Sequence, residues 1–304
     1  MSLSEIANDI HSIENDLALY EECSFNKRAD AIDFLEFHVI ERIEILGHNV
    51  SPTKELDELT LRAERIKLKM ENIDNALFTR LREQIKQGIY RGGAFIQMLY
   101  KYTIFNTNDG HTTKEPGYDN LDVFINGLLF NNSLPEATMK QEKEMVFYQQ
   151  TPARIILELA ECTGLKESDV FFDIGSGLGL VTMLINLVSG ATVRGVEYEP
   201  AYINYAQACA QQLKLNNIEF INADARNADY SKGTVFFMYT PFMGNMLQEM
   251  LDILQAEAQK RAIRIFTYGP CSAVVAREEW LASVNEMGDD LYTLYEFRSR
   301  VRRH

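Results

Sequence analysis

Apolar residues recur at helical spacing through the first 140 positions, then give way to short apolar runs alternating with helices. Glu5–Glu22 carries Ile6, Ile10, Ile13, Leu17 and Tyr20, the rhythm of one helix face. Ala29–Leu46 repeats it with Ile32, Leu35, Val39, Ile43 and Leu46, and Gly47 stands where a helix would stop. Ser51 and Pro52 open a longer stripe toward Gln87, formed by Leu56, Leu59, Ile66, Met70, Ile73, Leu77, Leu81 and Ile85. Gly88 and Gly92-Gly93 interrupt it. Ala94–Phe105 then predicts a buried aromatic helix, Asn106–Asn120 a polar loop or flap, and Leu121–Phe130 another apolar helix. Stripes of this kind are core before they are partner boxes, although the long helix leaves a homodimer through this region open.

The rhythm changes near Glu144–Tyr148. Thr151 and Pro152 cap a helix over Ala153–Thr163, and strand and helix alternate from there. Strands are predicted at Val170–Asp173, Ala191–Glu197, Ile218–Asn222, Thr234–Met238, Ala262–Tyr268 and Leu291–Phe297, with Gly269–Ala276 as a further short candidate. Helices follow from Leu180 and over Pro200–Leu213. Alternation of this kind builds a mostly parallel sheet with right-handed crossovers. The expected architecture is α/β, with flanking helices, preceded by an all-helical region. Its parts are a helical domain over 1–140, serving as lid, substrate or dimerisation region, and a sheet domain over 141–304.

Charge narrows the function. The chain has 304 residues and a formal net charge of −14. A nucleic-acid binder needs a basic footprint to neutralise phosphate. The one basic cluster, Arg298 to Arg303, is short and reads as a solvated tail, so no nucleic-acid partner is expected. No apolar run is long enough for a membrane span, and Met1–Glu5 lacks the basic start of a secretory signal. Cys23, Cys162, Cys209 and Cys271 are scattered like reduced cytosolic thiols, and five histidines form no ligand pattern. A cytoplasmic protein without a metal site is expected.

The chemistry concentrates in Val170–Gly179, V-F-F-D-I-G-S-G-L-G. A strand closes on Asp173 and turns through Gly175, Ser176, Gly177 and Gly179 into a helix, the opening of a nucleotide-binding unit. The dinucleotide fingerprint G-x-G-x-x-G would place its third glycine at Leu180, so it fails. Glu197 ends the next strand about 20 residues on, where an acid accepts ribose hydroxyls. Asp224 follows the third strand, and Tyr239-Thr240-Pro241-Phe242 follows the fourth.

This D-x-G-x-G-x-G pattern with its downstream acids resembles the Rossmann-like, seven-strand S-adenosylmethionine (AdoMet) methyltransferases. The resemblance implies AdoMet as cofactor, a glycine loop around its amino-acid and ribose part, and Asp224 near its adenine amino group. Phe147–Ala160, with Tyr148 and Thr151, resembles the element before the first motif in small prokaryotic and mitochondrial lysine methyltransferases and, more distantly, non-SET histone lysine methyltransferases. Those two residues therefore join the cofactor set. The implied methyl acceptor is a protein lysine or a small molecule, and a binding protein without turnover is the alternative from another class. The resemblance spans about Phe147–Tyr268. It departs at the fourth motif, where neither the asparagine pair of the histone enzymes nor the Asp/Asn-Pro-Pro of the amine and base enzymes stands.

Tyr239 and Phe242 are the expected acceptor wall, with Tyr148 and Glu144 within reach from the preceding segment. Tyr239 reads equally as a packed strand-end residue, and Glu144 as a surface acid.

Overall fold

The computed structural model describes residues 3–49, 54–105, 117–130, 133–288 and 290–300. The chain falls into two compact units. One comprises residues 1–84, 97–105 and 119–128; the other comprises 85–96, 106–118 and 129–304.

The first unit is helical. Helix α1 (Leu3–Asn15) ends earlier than its stripe predicts, because Asp16 accepts the Ala18 amide and caps a separate 3₁₀ turn over Leu17–Tyr20. Helices α2 (Phe25–Asp33) and α3 (Glu41–Asn49) are joined by a π-helical stretch, Phe34–Ile40. The segment is thus one continuous rod that runs through Gly47 instead of stopping there. Helix α4 (Lys54–Lys86) matches its predicted span, and Leu56, Leu59, Ala63, Ile66 and Met70 enter a core with Ile6, Ile10, Leu35, Val39 and Ile43. Helices α5 (Gly93–Tyr102) and α6 (Asn120–Leu129) also follow the sequence pattern. Of the expected loop over 106–120, residues 106–116 lie outside the described residues, 117–119 are irregular, and Asn120 already begins α6.

One position of the α4 stripe departs from expectation. Ile73 is only part-buried, and Asp74 is the buried residue at 7% exposure. It accepts Nε of Arg28 at 2.8 Å, and Arg28 is wholly buried. The same guanidinium donates to the carbonyls of Leu19, Glu21 and Glu22. A buried charge persists only when paired and hydrogen-bonded, and Arg28 meets that condition while stapling the 3₁₀ turn to α2 and α4.

The second unit is built on a seven-stranded sheet of order β3-β2-β1-β4-β5-β7-β6. Its strands are β1 (Val170–Ile174), β2 (Thr192–Glu197), β3 (Ile218–Asn222), β4 (Val235–Met238), β5 (Arg264–Thr267), β6 (Leu281–Ser283) and β7 (Tyr295–Ser299). The first five are parallel, and β7 runs antiparallel to both β5 and β6. This is the Rossmann-like α/β sheet the alternation implies. The short strand expected in Gly269–Ala276 is instead a helical turn, α11 (Ser272–Val275), and β6 supplies the edge.

Helices α7 (Ala153–Thr163), α8 (Leu180–Ser189), α9 (Pro200–Gln212) and α10 (Gly244–Ala258) flank the sheet. Every residue from Leu180 to Leu187 in α8 is buried, so its two polar side chains need internal partners. Thr182 donates to Asp173, and Asn186 donates to the carbonyls of Ala191 and Asn216. Of the basic C-terminal cluster, Arg298 pairs with Glu296 and Arg300 donates to the Leu281 carbonyl. No described helix is long and apolar enough to cross a membrane.

Candidate functional site

The chain leaves β1 toward β2 and β3 on one side and returns to β4 and β5 on the other, so the strand order reverses between β1 and β4. Ligands of open α/β sheets bind outside the carboxyl ends of the strands at such a reversal. A cleft of about 1050 Å³, counting its open mouth, lies there. It brings together Tyr148, Thr151, Asp173, Gly175, Ser176, Glu197, Asp224, Tyr239 and Phe242 from the sequence-derived set.

The glycine loop has the shape of a cradle. Gly177 takes φ 51°, and a Cβ there would lie 2.1 Å from a ring carbon of Tyr148. At Gly175, φ is 79° and a Cβ would lie 2.4 Å from Pro241. Backbone therefore approaches both residues as only glycine permits. Gly179 ends the loop as the N-cap of α8. The partly exposed Tyr148 ring also packs on Tyr202, with centroids 5.6 Å apart.

The acids differ in state. Asp173 sits between Gly195 of β2 and Phe237 of β4 at 3% exposure. Burial pushes its carboxyl up to about 7, aided by the nearby negative charge of Glu197 and opposed by the Thr182 hydroxyl at 2.9 Å. Glu197 is also held above the usual carboxylate range by burial, although its Oε2 accepts the Gly177 amide and its Oε1 the Glu199 amide, both at 2.9 Å. Asp224 is shifted the other way, because the Arg226 guanidinium bonds both of its oxygens. Arg226 also reaches Glu142 and Glu249.

The expected acceptor side is less uniform. Tyr239 is half-buried, and its ring meets Tyr268 edge-on at 4.9 Å. Its hydroxyl is buried without a hydrogen-bond partner, as is Ser176 Oγ. Thr240 follows with φ 41°, a left-handed conformation costly for a β-branched residue. Its Oγ1 fixes it by donating to the Tyr268 carbonyl and accepting the Cys271 amide. Phe242 lies lower than a wall position. At 4% exposure it joins the core with Met246, Leu247 and Met250, so it forms floor beneath the cleft. Glu144 accepts the Met246 amide at 2.8 Å and so serves the start of α10.

Sequence reasoning missed Glu199, Arg226, Tyr202 and Tyr268. Glu199 before Pro200 is legible as a helix cap, and it does accept the Ala201 amide. Its bonds to Thr138 and Met139, some sixty residues earlier, carry no local signal. Among the described residues no group of His, Cys, Asp and Glu is arranged to hold a metal.

Residues 165–259 match the family model of the methyltransferase domain. No curated protein matches the chain. Solved structures that resemble it include an RNA methyltransferase from Salinibacter ruber in complex with S-adenosyl-L-homocysteine, at 21% identity and TM-score 0.42 over 51% of this chain and 96% of that one. TrmN from Thermus thermophilus is 15% identical, with TM-score 0.39, over 48% of each chain. Precorrin-6y C5,15-methyltransferase from Geobacter metallireducens is 14% identical, with TM-score 0.37, over 52% of this chain and 92% of that one. At these scores none of the three bears on the substrate.

The model matched over residues 165–259 describes a methyltransferase domain, and AdoMet is the cofactor that such a domain implies. The residues present fit it. Gly175 and Ser176 of the tight glycine loop line the cleft, Ser176 Oγ has no hydrogen-bond partner within the protein, and four carboxylates suit the positive charge of AdoMet.

Proposed function

We propose that this chain is an AdoMet-dependent methyltransferase whose acceptor is an amine, specifically the side chain of a protein lysine. The observation that carries the acceptor class is the charge of the cleft. Asp173, Glu197, Glu199 and Asp224 line it among aromatic rings, and among the described residues no Lys, Arg or His lines it. Such a cleft draws cations and repels phosphate. The net charge of −14 acts in the same direction.

In this reading the glycine loop, Ser176, Glu197, Asp224, Tyr148 and Thr151 hold the cofactor. When bound, AdoMet supplies an activated methyl group with a neutral thioether as leaving group. The protein aligns the acceptor and excludes water. A lysine ammonium, with an ordinary pKa of about 10.4, must shed a proton before it can attack. A wall of low polarity favours the neutral amine, and Tyr239 is its main member. Burial also raises the Tyr239 phenol well above its ordinary range, so it stays neutral and its oxygen can accept an amine N–H, leaving the amine lone pair free to attack.

Calorimetric titration with AdoMet, S-adenosyl-L-homocysteine and NAD tests the cofactor. Transfer of labelled methyl from AdoMet to lysate fractions, followed by acid hydrolysis, tests the acceptor. Label recovered as N-methyl-lysine is the expected result. Label in small amines moves the acceptor to a free metabolite, and label in RNA overturns the amine reading. Binding without transfer to any fraction makes the domain a binding module.

A further inference from the structure

Residues 133–149 run along one side of the cleft with no regular structure beyond an isolated bridge between Met145 and Phe242, and not one of them is fully buried. A segment with no buried side chain gains little from the hydrophobic effect, so polar contacts must hold it. Two backbone bonds, from the Val146 amide to the Pro241 carbonyl and from the Met243 amide to the Glu144 carbonyl, tie its far end, and three carboxylates do the rest. Glu199, at 5% exposure, accepts the Thr138 amide at 2.8 Å and the Met139 amide at 2.7 Å through Oε2, and the Thr138 hydroxyl at 2.6 Å through Oε1. Glu142 pairs with Arg226 at 3.1 Å. Glu144 accepts the Met246 amide.

Two of these clamps lead directly to the acids of the cofactor cleft. The Glu199 amide donates to Glu197, whose other oxygen takes the Gly177 amide of the glycine loop. Arg226 grips Asp224 at 2.6 Å with the same Nη2 that reaches Glu142. Glu197 and Asp224 are therefore each one residue away from the segment. The other walls of the cleft include Leu180, Val181, Val196 and Phe237, all buried. Displacing those walls would expose apolar core, whereas displacing 133–149 breaks mainly polar bonds that water can replace, together with the contacts of Met145 on the core and of Tyr148 on Tyr202.

We propose that residues 133–149 form the lid of the cofactor cleft and that Glu199 is the positioning residue that latches it, so that lid release sets the rate of cofactor exchange. The proposal rests on the AdoMet reading of the cleft. Glu199 acts through Thr138 and Met139. Because its amide also orients Glu197, closure of the lid and placement of the ribose-side carboxylate are one event.

The test uses the full chain and Glu199→Gln, which keeps size and one acceptor oxygen but removes the charge. Thr138→Val, which deletes only the hydroxyl donor, is the milder companion. In cofactor-free protein the Thr138 and Met139 amides should exchange hydrogen at least about tenfold faster in Glu199→Gln, the factor expected for one charge-assisted bond, with the α9 amides beyond its capped first turn unchanged. S-adenosyl-L-homocysteine should dissociate faster by a similar factor, with its association rate unchanged or raised, and Thr138→Val should lie between. Unchanged exchange at 138 and 139 overturns the latch. Faster exchange with wild-type dissociation overturns the link between lid and cofactor. Equal loss in both rate constants, together with a lower Tm, makes Glu199 a structural brace and also overturns the proposal. Failure of the wild-type chain to bind S-adenosyl-L-homocysteine defeats the cofactor reading, and with it the cofactor lid, while the exchange measurement still judges the latch.

Discussion

Cofactor affinity should depend on pH through Asp173. This carboxyl closes β1 at 3% exposure, and burial raises it from an ordinary value near 3.8 to about 7. Near neutral pH the cofactor-free protein therefore holds Asp173 about half protonated. AdoMet brings a net positive charge, which favours the ionised carboxylate. If only that form binds well, apparent affinity scales with the ionised fraction, about 0.9 at pH ~8 and about 0.09 at pH ~6. Kd should thus weaken about tenfold between those values, equivalent to about 1.4 kcal/mol. Asp173→Asn keeps an oxygen to accept the Thr182 hydroxyl and removes the titration. Its affinity should be low and flat with pH.

The stability of the cofactor-free protein should run in the opposite direction. A raised carboxyl contributes stability that is fully present below about pH 4 and is lost as pH rises through about 7. Tm should therefore fall from pH ~5 to ~8 in wild type, and much less in Asp173→Asn. Calorimetric titration in buffers of different ionisation enthalpy reads both the affinity and the proton released on binding. A flat Kd in wild type, or a slope that survives in Asp173→Asn, would refute the reasoning.

Three other substitutions probe separate parts of the molecule. Gly177→Ala should weaken AdoMet binding at least tenfold, because φ 51° costs an L-residue about 1–2 kcal/mol and the new methyl meets the Tyr148 ring; wild-type affinity by calorimetry would show that the loop can shift freely. Arg28→Met should cost about 3–5 kcal/mol in denaturant unfolding by leaving Asp74 buried and unpaired, and adding Asp74→Leu should recover much of it. If the double variant is no more stable than the single one, the carbonyl bonds of Arg28 matter more than its ion pair. Tyr239→Phe removes a buried hydroxyl that has no partner in the cofactor-free fold, so Tm should hold or rise while methyl transfer falls; undiminished transfer makes Tyr239 only a wall.

Local grammar made much of the second unit legible. The bounds of α7 and β3, and the start of α8, follow from Thr151-Pro152, from the apolar runs and from the glycine turn, because capping and periodicity act over one or two turns. The glycine spacing and the acids at Asp173, Glu197 and Asp224 likewise placed the cleft, since a parallel sheet brings its strand ends together. What tertiary structure alone decided is which polar side chain meets which across long stretches of chain. The α4 stripe nominated Ile73, yet Asp74 is the buried residue, because Arg28 offers it a partner 46 residues away. Phe242 followed the fourth strand as expected but sank into the core above α10. Glu199 reads as a helix cap, and its grip on Thr138 and Met139 exists only once the cleft is assembled. Periodicity records how one element meets the core, whereas the pairing of charges between distant elements leaves no repeating mark along the chain.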